Sequence, residues 1–360
     1  MILLRKTILT ATLFIYFTAN TTAQHISNVQ GFPSAEPGYE LGVSACYAGF
    51  IGDRLVMAGG CNFPTPGNKT YYSGIYAATV DRDTLNWQLV GSLPETAAYG
   101  TTVAIGDSLL FIGGCNNSHS LATVYSIRLD GTDGMAVVTR LADMPFTVDN
   151  AAACIAGNNI YVVGGNQNGQ PSGNVLIKDM DHTAWRVGST VPHGPCVQPI
   201  CATVGDELFV WGGFHANGTD SHVNTIGAAY SLNTKSWRTL EAPTSSSGKM
   251  TLTGGVSWTH GDTIYATGGV NKDIFLDAIS QRYERVDKNK YLDQPINWYK
   301  FSGNLYRYDT KHGKWLRTTF ADKRLARAGA AAVSTTKGMY YIGGELKPAV
   351  RTPQIVLLEY

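Results

Sequence analysis

Short apolar runs that end in Gly-Gly recur along the chain. Leu55-Val56-Met57-Ala58 precedes Gly59-Gly60, Leu109-Leu110-Phe111-Ile112 precedes Gly113-Gly114, and Ile160-Tyr161-Val162-Val163 precedes Gly164-Gly165. Residues 208–211, 264–267 and 339–342 do the same before Gly212-Gly213, Gly268-Gly269 and Gly343-Gly344. A second small, apolar run lies just upstream of each, such as Ala151-Ala152-Ala153-Cys154-Ile155. The two are separated by a turn pair: Gly52-Asp53, Gly106-Asp107, Asn158-Asn159, Gly205-Asp206, Gly261-Asp262 or Lys337-Gly338. Runs this short, with Gly or Asn at the tip, predict β-hairpins. A third run carries an aromatic (Tyr76, Tyr125, Tyr230, Tyr306), and in four repeats a fourth run carries Trp87, Trp185, Trp237 or Trp315.

The first Gly of each pair falls at 59, 113, 164, 212, 268 and 343, so the intervals are 54, 51, 48, 56 and 75. Four strands per repeat, Gly-Gly after the second and Trp in the fourth resemble the kelch blade, whose period is about 50 residues. The resemblance implies an all-β fold, a six-bladed kelch-type β-propeller. Closure of the ring is testable by length. Seventeen residues follow Gly343 and 36 run from Gln24 to Gly59, together about one period. The last repeat has a single run after its Gly-Gly, at residues 355–360. Ile26-Ser27-Asn28-Val29-Gln30-Gly31-Phe32-Pro33 reads like the outer run Trp87-Gln88-Leu89-Val90-Gly91-Ser92-Leu93-Pro94. The N-terminal segment is therefore predicted to supply the fourth strand of the last blade, leaving no exposed edge.

Composition narrows the class. With 28 basic against 27 acidic residues the net charge is +1, which excludes a global basic field for nucleic acid. An apolar content of 44%, with 7 Trp, 19 Tyr and 12 Phe, excludes disorder. Arg5 and Lys6, an apolar stretch at 7–19, and Thr21-Thr22-Ala23 have the order of a secretory signal peptide over residues 1–23. The expectation is an exported protein, periplasmic or secreted, with residues 24–360 forming one propeller and no membrane attachment after cleavage. An uncleaved anchor is the alternative. Six Cys in an exported chain permit disulfides without demanding them. No Cys-x-x-Cys or His-Glu-x-x-His occurs, so zinc has no support.

In such a blade the turn after the second strand and the link to the next blade open on one face. The residues after Gly-Gly then converge near the axis: Cys61-Asn62, Cys115-Asn116-Asn117, Asn166-Gln167, Phe214-His215, Asn271-Lys272 and Glu345. The links add Tyr99, Asp149, Gln198, Lys249 and Arg327. This amide-rich mouth suits a hydroxylated ligand, although Asn also serves turns by bonding its own backbone. The long interval holds about 25 extra residues, an insertion at about 271–300 expected over the mouth. Ile279, Tyr283 and Val286 predict a short helix within it. The last blade replaces the amide with Glu345 and adds Lys347 and Arg351. Such a carboxylate reads either as a rim ion pair or as a general base beside a carboxylate-binding Arg.

Glu345-Leu346-Lys347-Pro348, followed by Arg351-Thr352, resembles the Gly-Glu-x-Lys-Pro-x-x-Arg-Thr segment of the N-acetylneuraminate epimerases, the sialic acid mutarotases. Gly269-Val270-Asn271-Lys272-Asp273-Ile274-Phe275 resembles that family's segment before its own insertion. In the family the Glu segment lies mid-chain, whereas here it ends the protein, so the chain looks like a cyclically permuted relative. The resemblance implies a cofactor-independent isomerase that interconverts the anomers of free sialic acid. Glu345 would be the proton acceptor and Arg351 the essential cation. Lys347, Asn62, Asn116, Asn166, His215, Asn271, Lys272 and Arg327 are the further substrate-binding candidates, with no metal ligand. A non-catalytic propeller binding an acidic sugar or peptide, and a mutarotase for another acylated or acidic sugar, are the competing readings.

Overall fold

The six predicted hairpins form, and each becomes the inner half of a four-stranded antiparallel sheet. This computed structural model describes residues 25–246, 248–317 and 320–359. The signal peptide expected over residues 1–23 lies outside the described residues. Blade 1 comprises Tyr47–Ile51, Arg54–Ala58, Gly74–Asp81 and Thr84–Ser92. Blades 2 to 5 follow in chain order, beginning with Thr101–Ile105, Ala152–Ala156, Val197–Val204 and Gly255–His260. Blade 6 takes Ala331–Ser334, Gly338–Ile342 and Ile355–Glu359 from the C-terminal end, and its outer strand is His25–Val29. Ile26 stands opposite Leu358 and Val29 opposite Ile355 in that antiparallel ladder. The chain is thus closed by its own first strand, as its repeat length predicts.

The blades are joined at the axis by a cycle of six backbone hydrogen bonds. The residue entering each inner strand donates its N–H to the carbonyl of its counterpart in the preceding blade. Tyr99 donates to Ala45 (2.9 Å), Asn150 to Tyr99 (2.7 Å), Gln198 to Asn150 (2.7 Å) and Gly254 to Gln198 (3.0 Å). Gly329 donates to Gly254 (2.9 Å), and Ala45 to Gly329 (2.7 Å), which completes the circle. All six residues have positive φ, from 56° to 70°. For the four that are not glycine this conformation costs about 1 kcal/mol or more each, and the cycle of bonds holds them there.

The Gly-Gly pairs have a steric cause. A Cβ on Gly59, Gly113 or Gly164 would lie 2.3 Å from the carbonyl oxygen of Ala97, Val148 or Cys196 in the link to the next blade. The second glycine of each pair donates its N–H to that same oxygen, at 2.7–2.9 Å. Only glycine lets the neighbouring chain approach this closely. The Trp of the fourth strand ties blades together at the rim. Trp185 donates to Ala142 O (3.2 Å), Trp237 to Ser189 Oγ (2.9 Å) and Trp315 to Glu241 O (3.0 Å), each in the preceding blade. The core lies between the blades as six apolar clusters, one per interface. Trp211, Tyr308 and Trp315 meet edge-to-face at 4.9–5.2 Å between blades 4 and 5, a geometry worth about 0.5–1.5 kcal/mol per pair beyond burial.

Two local expectations are corrected, and the open question of disulfides is answered. The insertion helix runs over Lys272–Ile279, not through Ile279, Tyr283 and Val286. Asn271 caps its start by accepting from Asp273 N and Ile274 N, both at 3.1 Å. Beyond Ser280, Gln281 and Tyr283 take left-handed φ, and buried Asp277 accepts from Glu284 N and Arg285 N, so the chain turns away. In blade 4 the second strand, Glu207–His215, runs on through its Gly-Gly pair. No disulfide forms: all six Cys are free thiols. Burial pushes the Cys46 and Cys196 thiols up to about 12.

Candidate active site

After Gly343-Gly344 the chain makes a small hairpin, Glu345–Lys347 against Val350–Arg351, turned by Ala349 at φ 65°. The register sets Glu345 directly across from Arg351, and the Arg351 Nη1 bonds the Glu345 carboxylate. The Arg351 side chain is 4% exposed and that of Glu345 23%. Burial raises the Glu345 carboxyl above the ordinary carboxylate range, and Arg351 and Lys69 only partly offset it. At Arg351 burial opposes the charge, but Glu345, Tyr99 and Cys61 outweigh it and hold the guanidinium protonated. Its Nε has no partner among the described residues, and the guanidinium faces the Phe63 ring at 5.2 Å.

A second hairpin, Cys61–Thr65 with Asn68–Tyr71, packs beside it. Lys69 from this hairpin donates to the Tyr99 hydroxyl at 3.0 Å and lies over the rings of Tyr99 (4.4 Å) and Tyr71 (4.8 Å). The Cys61 thiol donates to the Tyr99 hydroxyl at 3.5 Å and lies within electrostatic reach of Arg351. Burial, then Cys61, raises the Tyr99 phenol well above its usual range, and Arg351 opposes this. Further round the mouth, buried Asp149 accepts from Asn150 (2.7 Å), Asn166 (2.7 Å) and Ser120 (2.5 Å), and Gln198 donates to Asn150 (2.8 Å). Burial, then Asp149, pushes the neighbouring Cys115 thiol up to about 11.

Lys347 donates to the carbonyls of Leu292 (2.9 Å) and Gln294 (2.7 Å), fastening the insertion to the Glu345 hairpin. Tyr291 and Tyr299 of the insertion lie within electrostatic reach of Glu345. Leu41, Phe63, Leu292, Pro348, Val350 and Arg351 are among the walls of a cleft of about 530 Å³ beside the pair. Among the described residues no three His, Cys, Asp or Glu converge as a metal site needs.

The sequence candidates divide accordingly. Glu345, Arg351 and Lys347 share one hairpin, and Asn166 belongs to the amide network. Asn62 is buried, donates to Gly38 O (2.7 Å) and Gly42 O (2.9 Å) and accepts from Tyr72, so its hydrogen bonds hold the fold. Asn116 closes its own turn through Ser118 N and His119 N. Asn271 is the helix cap, and Lys272 pairs with its neighbour Asp273. His215 stacks edge-on against His222, 5.2 Å away on the blade 4 hairpin. Arg327, expected to line the mouth as a substrate contact, is fully buried and bonds Gly343 O, Gln354 O and Gln354 Oε1. Lys69 and Tyr71 escaped the sequence reading. The one signal for them is their period-two spacing, which puts a cation and an aromatic on one face of a strand.

These features define a kelch-type propeller with a buried, ionisable cluster at one end of its axis. A family model described as N-acetylneuraminate epimerase matches residues 141–360, and the chain belongs to that family. It is 28% identical over 223 residues to the N-acetylneuraminate epimerase of Haemophilus influenzae, which is 59% of this chain and 57% of the relative. It is 27% identical over 249 residues to that of Salmonella typhimurium (65% and 61%) and 29% over 254 residues to that of Shigella flexneri (66% and 65%). The matches thus span under two thirds of these relatives' lengths.

Proposed function

We propose that the protein is a carbohydrate mutarotase that interconverts the α and β anomers of free N-acetylneuraminate in an exported compartment. The observation that carries this reading is the Glu345–Arg351 pair, a carboxylate made more basic by burial and held against a guanidinium. The substrate is a cyclic hemiketal with a carboxylate on its anomeric carbon. Exchange requires loss of the anomeric hydroxyl proton, opening of the ring, rotation, and reclosure on the other carbonyl face. Glu345 takes the proton and returns it. A general base of raised pKa sits nearer the operating pH, and such catalysis supplies about 10²–10⁴ in rate. Arg351 orients the substrate carboxylate, for which its unpartnered Nε is a free donor. The Asp149-centred amides offer donors and acceptors to hydroxyl and N-acetyl groups.

The test is NMR of sialic acid freshly released by a sialidase. The wild type accelerates anomer exchange, and Glu345→Gln lowers kcat by about 10²–10⁴. A wild type that binds sialic acid but leaves the exchange rate at its spontaneous value overturns the proposal in favour of a binding protein.

A further inference from the structure

A base alone completes half of the ring opening, because the departing ring oxygen needs a proton. Tyr99 is a phenol linked to the pair: it interacts electrostatically with both Arg351 and Glu345, and its hydroxyl accepts from the Cys61 thiol at 3.5 Å. It stands in the axial cycle, with its N–H bonded to Ala45 O and its carbonyl to Asn150 N, and holds φ 61°. A left-handed, bulky, half-buried residue tied down on both sides is strain kept at a fixed position, and such positions cluster at functional sites. Its hydroxyl accepts from the Lys69 ammonium, whose partner here is a phenol rather than a carboxylate.

We propose that Tyr99 is a second catalytic residue, the acid that protonates the ring oxygen, with Lys69 as its positioning cation. This assignment rests on the anomer-exchange reading above. In the forward step the Glu345 carboxylate takes the anomeric hydroxyl proton, that oxygen's electron pair forms the carbonyl, and the ring C–O bond breaks. The electron pair leaves on the ring oxygen, which takes the proton of the Tyr99 hydroxyl. The resulting phenolate faces Lys69 at 3.0 Å and, across Cys61, Arg351. After rotation about the bond to the carbonyl carbon, the phenolate removes the proton from the attacking hydroxyl, and Glu345 returns its own to the carbonyl oxygen. Both residues end as they began, and no oxidant or cofactor enters the balance. Before the reaction, burial keeps the phenol protonated at neutral pH; afterwards Arg351, and Lys69 through its hydrogen bond, offset part of the charge. The groups facing the hydroxyl are Lys69 and Cys61 from one hairpin and Arg351 and Glu345 from the other.

The test compares Tyr99→Phe, Lys69→Met and Lys69→Arg in the full chain by the same NMR exchange assay. Tyr99→Phe keeps the ring and the Cβ, and Lys69 lies on a surface hairpin, so circular dichroism stays unchanged. The expected result is a loss of kcat of about 10²-fold or more for Tyr99→Phe, with KM within about twofold. Lys69→Met loses about tenfold and Lys69→Arg restores most of it, a rescue that loss of packing would not give. Combining Tyr99→Phe with Glu345→Gln costs little more than the worse single change, as expected of groups acting as a unit. Wild-type kcat in Tyr99→Phe, with Glu345→Gln impaired, overturns this assignment and leaves the mutarotase reading standing. Absence of exchange by the wild type removes both.

Discussion

Replacing Arg327 by Met should loosen the hairpin that carries Glu345 and Arg351, although its side-chain hydrogen bonds go to Gly343 and Gln354. Its Nη1 bonds Gly343 O at 2.9 Å and Gln354 O at 2.7 Å, and its Nη2 bonds Gln354 Oε1 at 2.5 Å. Gly343 and Gln354 are the two ends of the segment from which that hairpin projects, so the guanidinium clamps its base. The side chain is fully buried and lies 5.1 Å from the Tyr341 ring; burial lowers its pKa to about 10, which leaves it charged at neutral pH. In Arg327→Met, Gln354 O keeps the N–H of Gly343 (3.2 Å), but Gly343 O is left buried without this donor. An orphaned buried acceptor costs about 1–3 kcal/mol, and the lost charge-assisted bonds add to it. Relief from burying a charge with no carboxylate partner offsets part of this. The net expectation is about 2–4 kcal/mol. An unfolding entropy of about 2.1 cal/mol/K per residue gives about 0.7 kcal/mol/K for this chain, so Tm should fall by about 3–6 °C. Measured well below that Tm, kcat for anomer exchange should fall about tenfold, because small misplacements of a catalytic group are costly. Calorimetry and the NMR assay read the two effects separately. An unchanged Tm refutes the clamp, and a lowered Tm with full kcat refutes its link to the site.

Deleting residues 25–30 removes the outer strand of blade 6 and exposes the edge of Ile355–Glu359, so the variant should form larger species in size-exclusion chromatography. Asn271→Ala removes the cap of the insertion helix and should destabilise it by about 1 kcal/mol, seen as faster amide exchange over Lys272–Ile279 with little change in blade 1. His193 has both ring nitrogens buried without a hydrogen-bond partner among the described residues, and burial, then His222, lowers its pKa to about 4. The folded pKa is depressed, so the contribution is present above pH 6.5 and is lost as pH falls towards 4, by about 3 kcal/mol at most. His193→Phe should flatten the decline in Tm across that window; an equally steep decline places its origin elsewhere.

The features legible in sequence are those the repeat imposes. Gly-Gly, the hairpin tips and the rim Trp recur because the same collision, turn and inter-blade bond recur in successive blades, so each repeat testifies for the others. The N-terminal strand was legible for the same reason, since one blade was short by one run. Residues that break the repeat had no such support. The insertion helix ends at Ile279 because buried Asp277 captures two backbone N–H groups seven and eight residues downstream, contacts that periodicity does not encode. Asn62 and Asn116 share a place after an apolar run, yet one bonds carbonyls at 38 and 42 and the other its own turn. Arg327 looked like a mouth residue because it sits in a blade link, but the link dips under the hairpin it supports. Lys69 and Tyr71 come from a return strand whose register with Cys61–Thr65 is interrupted by an irregularity between Asn62 and Thr65.

The axial cycle also makes the ring indifferent to which blade carries the chain ends. Every adjacent pair of blades is joined by the same backbone bond, including both pairs that involve blade 6, which is built from the two ends of the described chain. Moving the ends to another blade therefore leaves the cycle intact, provided a terminal strand still completes the blade that was cut. Specificity then depends on what each blade projects from the cycle. Tyr99, Asn150 and Gln198 occupy three consecutive positions, while Gly254, Gly329 and Ala45 occupy the other three. One half of the mouth carries side chains with donors and acceptors, and the other half is left to the Glu345 hairpin and the insertion that Lys347 fastens to it. Both segments that resemble the epimerase family fall on that second half. Backbone bonds keep the ring regular, and the Glu345 hairpin and the insertion stand where the side chains of the ring are smallest, with Tyr99 at the border of that half.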